Sequence, residues 1–201
     1  MKSKIELLQM RKQRNIDNFS MLAPDIGKRE LRMLCSIMQP KQAEKGEMIL
    51  DSGSISKGFL LIRDGFVRQF YYKKGIDVTE HFSTRGDVVC CIESTFLQKP
   101  TELMVEALEA TSYYLIEYKD VKRICEDSIL LQRLYSHLME LMLVLSQQKA
   151  NEMRFVSVRE RYDNFVRQYP EVAKRATSRH IASYLLMTPE TLSRIKAETL
   201  R

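Results

Sequence analysis

A chain of 201 residues that is 44% hydrophobic and 29% charged is long enough to bury one large or two small cores, which excludes disorder over most of its length. Its 32 Lys and Arg against 26 Asp and Glu leave a net charge of +6, of which +5 falls in residues 154–201, where ten basic residues meet five acidic ones. A basic segment with regular apolar positions behind a nearly neutral body is the pattern of a small polyanion-binding domain on a larger one, and not of a disordered basic tail.

The longest uninterrupted apolar runs, 88–92 and 141–145, fall far short of the roughly 20 residues that cross a bilayer. Near the start, Lys2, Lys4, Arg11, Lys12 and Arg14 alternate with Ile5, Leu7, Leu8 and Met10, leaving no apolar core of a secretory signal. A cytoplasmic protein with no membrane partner is expected. Cys35, Cys90, Cys91 and Cys125 form no C-x-x-C pair, and neighbours on a strand point to opposite faces. Reduced, buried thiols are expected, and no metal site.

In chain order, residues 3–22 read as an amphipathic helix and a loop, with Ile5, Leu8 and Lys12 at helical spacing, and Pro24 helps begin the next helix. Residues 28–38 carry Leu31, Leu34 and Cys35 at the spacing of one buried helical face. From Gly46 the period changes to two, and β-favouring runs at 47–50, 58–62, 66–72, 78–83, 88–92, 105–107 and 113–117 are punctuated by glycine. Such short strands imply a sandwich, barrel or roll. Asp64-Gly65 between two strand runs predicts a tight hairpin, with further turns at 73–75 and 85–87.

After Tyr118 the pattern turns helical. Leu131, Leu134, Leu138, Leu141 and Leu145 repeat at 3, 4, 3, 4, the seam of a coiled coil, widened by Met139, Met142 and Val144. Two readings stand: a helix that pairs with its own copy, or one buried wholly within the chain. The narrow seam on a helix of roughly 25 residues favours the first. Polar residues 147–152 make its end a hinge, placed around residues 152–155.

Residues 156–168 read as a helix with Val158, Tyr162, Phe165 and Val166 on one face, ended at Tyr169-Pro170. Ser178 then caps a short helix that turns Ile181, Ala182 and Leu185 inward, and Thr188 caps a second with Pro189 in its first turn. Leu192 and Ile195 face back onto the first. This is a helix-turn-helix. Glu190 and Arg194 point away from the apolar side and suit base edges, Glu accepting from cytosine N4 and Arg gripping guanine O6 and N7. Thr191 and Ser193 share that face, and Thr188, Ser178, Arg179 and Lys196 suit phosphates. An ordinary helical hairpin with a surface Glu190–Arg194 pair is the bland alternative.

The order of a β unit carrying Phe59-Leu-Leu-Ile-x-x-Gly65-x-Val67 and Gly86-Asp87, a leucine-seamed helix, and Arg179-His-Ile-Ala-x-x-Leu-x-Met-Thr-Pro-Glu-Thr-Leu-Ser-Arg194 resembles the Crp/Fnr superfamily of bacterial transcription regulators over essentially the whole chain. The resemblance implies an α+β fold: a cyclic-nucleotide-binding-like β-roll over residues 1–127, a dimerisation helix and hinge over 128–153, and a helix-turn-helix of winged-helix type over 154–201. It implies a homodimer on promoter DNA, half-sites about 34 Å apart, with RNA polymerase and a small-molecule effector as further partners. Glu190 and Arg194 fall on the Glu and second Arg of the family's Arg-Glu-Thr-x-x-Arg pattern, whereas Pro189 stands in place of its first Arg. Leu186 replaces the glycine common in the turn, and the wing is expected to be truncated or absent.

The family grips a cyclic phosphate with backbone N–H groups and an Arg-Ser pair. Here Thr101 and Glu102 hold that position, no arginine occurs between Glu93 and Val105, and Lys99 is the cation nearby. A carboxylate there opposes phosphate, so cyclic AMP is not the expected ligand. Gly86, Glu93, Lys99, Thr101 and Glu102 stay as candidate pocket residues for an effector of unknown identity, and no cofactor is named. Residues 1–34 lack the cysteines of the family's iron–sulfur members. No catalytic constellation appears, so an enzyme is not expected. The rival reading is a ligand sensor acting through protein partners with a vestigial DNA-binding domain.

Overall fold

The computed structural model describes residues 26–199, so the predicted helix over 3–22 and the role given to Pro24 lie outside the described residues. The described residues open with α1 (Lys28–Ser36) and continue as β1 (Met38–Ala43), β2 (Met48–Leu50), β3 (Gly58–Asp64), β4 (Phe66–Lys73), β5 (Ile76–Thr84) and β6 (Val88–Cys90). The short helix α2 (Ile92–Leu97) interrupts the roll before β7 (Met104–Ala107) and β8 (Thr111–Glu117). Two antiparallel sheets result, ordered β1-β8-β3-β6 and β2-β7-β4-β5. Ile62, Val67, Val89, Cys91 and Val105 form the buried core between them, as alternating inward residues of facing sheets require.

Three elements differ from the sequence reading for identifiable reasons. The Asp64-Gly65 turn does not close a hairpin, because β3 and β4 belong to different sheets. Only Gly65 has a positive φ there, at 118°, and the turn carries the chain from one sheet to the other. The true hairpin joins β4 to β5. Lys73 pairs with Ile76, and Lys74 (φ 52°) and Gly75 (φ 78°) supply the two positive φ values of a type I′ turn. Strand β1, unmarked by apolar alternation, is an edge strand, where Pro40 is tolerated. In α1 the packed residues are Met33, Leu34 and the following Ile37, whereas Leu31 is 45% exposed and Cys35 is exposed.

Helices follow the roll: α3 (Tyr118–Asp127), α4 (Ile129–Phe155), α5 (Val158–Gln168), α6 (Pro170–Arg175), α7 (Ser178–Tyr184) and α8 (Pro189–Thr199). Extended Ser128 separates α3 from α4, so the helical stretch after Tyr118 is two helices. Helix α4 runs unbroken through residues 152–155, and the chain bends instead at extended Val156 and Ser157. Ser157 and Glu160 form a capping box that starts α5, and Pro170 starts α6. Phe165, Val172, Ile181, Ala182, Leu185 and Leu192 make one core, and Phe66 of β4 belongs to it. The helical unit is thus packed directly against the roll.

A Cβ at Gly65 would lie 2.7 Å from both Cα and Cβ of Thr111, in a backbone conformation that L-residues rarely adopt. We expect Gly65→Ala to lower the unfolding free energy by about 2 kcal/mol or more, measured by urea denaturation.

Candidate nucleic-acid interface

The two-helix unit is built as its residues dictate. Ile181, Ala182, Leu185, Leu192 and Ile195 are all buried, so α7 and α8 meet through the predicted apolar positions and Ala182 permits the close approach. The cap of α7 is Thr177, whose Oγ1 accepts from the His180 N–H at 3.2 Å, and not Ser178. That leaves the Ser178 hydroxyl to accept from Lys196 Nζ at 2.9 Å. Thr188 Oγ1 accepts from the Thr191 N–H at 3.2 Å, the capping role expected of it. In the turn, Leu186 has φ 54°, the left-handed conformation that glycine usually takes.

On the outer side of α8, Glu190, Ser193 and Arg194 are exposed, with Thr191 half-buried beside them; Ser178 and Arg179 are exposed at the start of α7. The Glu190 backbone N–H and the Thr188 hydroxyl hold its carboxyl below the usual carboxylate range, so it stays an acceptor at neutral pH. The surface therefore offers an anionic acceptor and a guanidinium one helical turn apart on a protruding helix. Lys196 is tied to Ser178, which draws a cation to the N-terminus of α7.

The candidate effector residues are placed differently. Gly86, Glu93, Lys99 and Glu102 are exposed, Thr101 is buried, and none lines either of the two cavities described next. The segment around α2 is closed upon itself. Ser94 Oγ accepts from the Ser56 N–H and donates to the Lys99 carbonyl, Thr95 Oγ1 bonds Ser56 Oγ at 2.8 Å, and Thr101 Oγ1 accepts from the Leu103 N–H at 2.9 Å. These hydroxyls already have partners where an anion would need donors.

A cavity of about 380 Å³ runs between the roll and α4, lined among others by Gln69, Phe82, Cys90, Leu138, Met142 and Tyr184. A second, of about 290 Å³, lies inside the roll and includes Cys91 and Tyr113. Cys90, the last residue of β6, and Cys91, at the N-cap of α2, thus face different cavities. Among the described residues no group of three or more His, Cys, Asp or Glu is placed to hold a metal ion, and no helix is long and apolar enough to cross a membrane.

The leucine seam turns largely inward. Leu131, Leu134 and Leu141 are at most 5% exposed within the single chain, and Leu138 lines the cavity. Helix α4 lays this stripe on its own roll, leaving Leu143 (72% exposed), Val144 and Leu145 toward solvent. The five leucines therefore do not form a free seam in this arrangement.

Sequence reasoning passed over a buried polar cluster beneath α7. Arg68, 6% exposed at its side chain, binds Asp77 through both terminal nitrogens, at 2.7 and 2.8 Å, and Glu106 through Nε at 2.8 Å. Burial opposes its charge, but the two carboxylates hold the guanidinium pKa above its ordinary value. His180 faces this cluster; burial and then Arg68 push its pKa down, against Asp77 and Glu106. A charged residue inside the apolar run of β4 was the available signal.

No family profile and no curated protein sequence matches the chain. Solved structures do share its fold. FixK2 from Bradyrhizobium japonicum is 20% identical, with 81% of this chain and 84% of that one covered, at a TM-score of 0.66. A transcriptional regulator of the Crp/Fnr family from Eubacterium rectale is 19% identical over 87% and 83%, at 0.65. The catabolite activator protein of Thermus thermophilus is 17% identical over 88% and 85%, at 0.56. The chain has the fold of the Crp/Fnr regulators.

Two outcomes follow from these environments. Leu186 is 58% exposed and has little packing to lose, so Leu186→Gly should raise stability by about 1 kcal/mol in thermal unfolding. Burial pushes the thiols of Cys90 and Cys91 up to about 11. In the folded protein at pH 8, iodoacetamide should alkylate exposed Cys35 while Cys90 and Cys91 react only after denaturation, as read by peptide mass spectrometry.

Proposed function

We propose that this protein is a dimeric, sequence-specific DNA-binding transcription regulator, in which α7 and α8 present one reading head per subunit. The observation that carries this is the outer face of α8. Glu190 and Arg194 project from a doubly capped two-helix unit whose apolar side is fully buried, within the fold of the Crp/Fnr regulators. Glu190 accepts from cytosine N4 and Arg194 takes guanine O6 and N7, with Thr191 and Ser193 alongside. Phosphates are met by Thr188, Ser178, Arg179 and Lys196. Pro189 contributes no base contact.

The second subunit packs along α4 against Leu143, Val144 and Leu145, adjacent apolar residues that the roll leaves partly or largely exposed. Cyclic AMP is not the ligand of the roll: the hydroxyls around α2 are paired internally, Gly86, Glu93 and Lys99 are exposed and line neither cavity, and Glu102, beside buried Thr101, puts a carboxylate where a phosphate would be repelled. The effector of this regulator is a small molecule with an apolar body, for which the cavity under α4 has room, and RNA polymerase is the partner downstream.

Selection of bound sequences from random duplex DNA tests the reading. A two-fold symmetric motif with half-sites one helical turn apart is expected, and recovery of no symmetric motif would sink it. Within that motif, Arg194→Ala should lose about 1–3 kcal/mol at a single G·C step and relax preference there, measured by competition binding. A uniform loss over all sequences would instead make Arg194 a phosphate contact.

A further inference from the structure

Strand β5 lies at the edge of its sheet, with backbone groups that no neighbouring strand satisfies. Two of them are taken by one side chain of α7. Ser183 Oγ accepts from the Thr79 N–H at 2.7 Å and donates to the Asp77 carbonyl at 2.9 Å. The hydroxyl does for the strand what the peptide group of an added strand would do. Thr79 is 1% exposed, so water does not replace it.

The seat of this contact is fixed from several sides. Asp77 is held by Arg68, whose guanidinium also lies 3.9 Å from the centre of the Phe70 ring. One residue on, β5 bulges at Glu80, between His81 paired with Gln69 and Thr79 paired with Phe70. Lys149 of α4 binds both the carbonyl and the carboxylate of Glu80, and its ammonium sits 4.9 Å from the Tyr184 ring of α7. At the other end of the contact, Arg175 pairs with Glu109 and lies over the Phe66 ring. Phe82 of β5 meets Phe165 and Tyr184.

We propose that Ser183 and Arg175 are positioning residues for DNA recognition: they set the place of the reading head by docking α7 on the open edge of β5 and α6 on Glu109. This rests on the reading of α7 and α8 as the DNA-binding unit. The bend at residues 156 and 157 joins the two parts, with Asn164 donating to the Glu152 carboxylate across it at 3.1 Å, and the docking on β5 sets where α8 points. In a dimer that placement fixes the distance between the two recognition helices. It therefore governs which half-site spacing is accepted, while Glu190 and Arg194 govern which bases are read.

The test uses the full-length protein and two perturbations. In Ser183→Ala, amide hydrogen exchange at Thr79 should quicken about tenfold, with helix content and the exchange of Ile181 and Leu185 unchanged; Ser183→Thr, which keeps the hydroxyl, should restore protection. On the selected site, Ser183→Ala should lose discrimination between the preferred spacing and spacings one base pair longer or shorter, with base preference at each half-site intact. Glu109→Arg and Arg175→Glu should each weaken spacing discrimination roughly threefold, and the double swap should recover it. Unchanged Thr79 exchange in Ser183→Ala, or unchanged spacing preference alongside faster exchange, overturns the proposal. If the wild-type protein binds no DNA, the function proposed above fails, while the exchange measurement still decides whether α7 is docked through Ser183.

Discussion

The unpaired edge of β5 is the constraint around which this molecule is arranged. Where an edge strand is covered, as β5 is at Thr79, its outward N–H and C=O groups must find partners, and here those partners come from helices that lie more than 65 residues further along the chain. Ser183 satisfies Thr79 and Asp77, and Lys149 satisfies the bulged Glu80. Once these contacts exist, the placement of α4 and α7 against the roll is no longer independent. Phe66 and Phe82 then fill the gap, so that one apolar core spans the roll and the helix-turn-helix.

The same placement explains the fate of the leucine repeat. With Lys149 anchored at Glu80, α4 lies along the roll and turns Leu131, Leu134 and Leu141 onto it. The repeat describes a stripe, and a stripe can be covered by any apolar surface of the right length. Helix α4 is long enough to serve its own roll and still offer Leu143 and Val144 to a neighbour. Beneath it the packing is incomplete, which leaves the larger cavity beside Gln69 and Leu138.

Around α2, the polar side chains are spent on one another. Ser56, Ser94, Thr95 and Thr101 close a local network, and the charges of Glu93, Lys99 and Glu102 point to solvent. A phosphate-binding cradle needs donors held open toward the ligand, and the fold here uses its donors for its own loops. Similarity of fold to the Crp/Fnr regulators speaks for the architecture and not, by itself, for a ligand.

Local physics was legible in the residues alone. The strand runs, the caps at Thr188 and Pro189, the inward set Ile181, Ala182, Leu185, Leu192 and Ile195, and the outward Glu190 and Arg194 follow from periodicity and capping, which act over a few residues. The left-handed turn at Leu186 was legible as a position where glycine is missing. Partner choice was not legible. Asp64-Gly65 marks a turn but cannot say that its two strands join different sheets, Pro40 hides an edge strand, and Arg68 gives no hint that Asp77 and Glu106 await it. By itself the sequence determined most of the strand runs of the roll, the two helices of the helix-turn-helix and which face of α8 is free. The tertiary structure alone decided that β5 has an open edge, that Ser183 fills it, and that Leu131, Leu134 and Leu141 of α4 face inward, because those depend on groups brought together from distant parts of the chain.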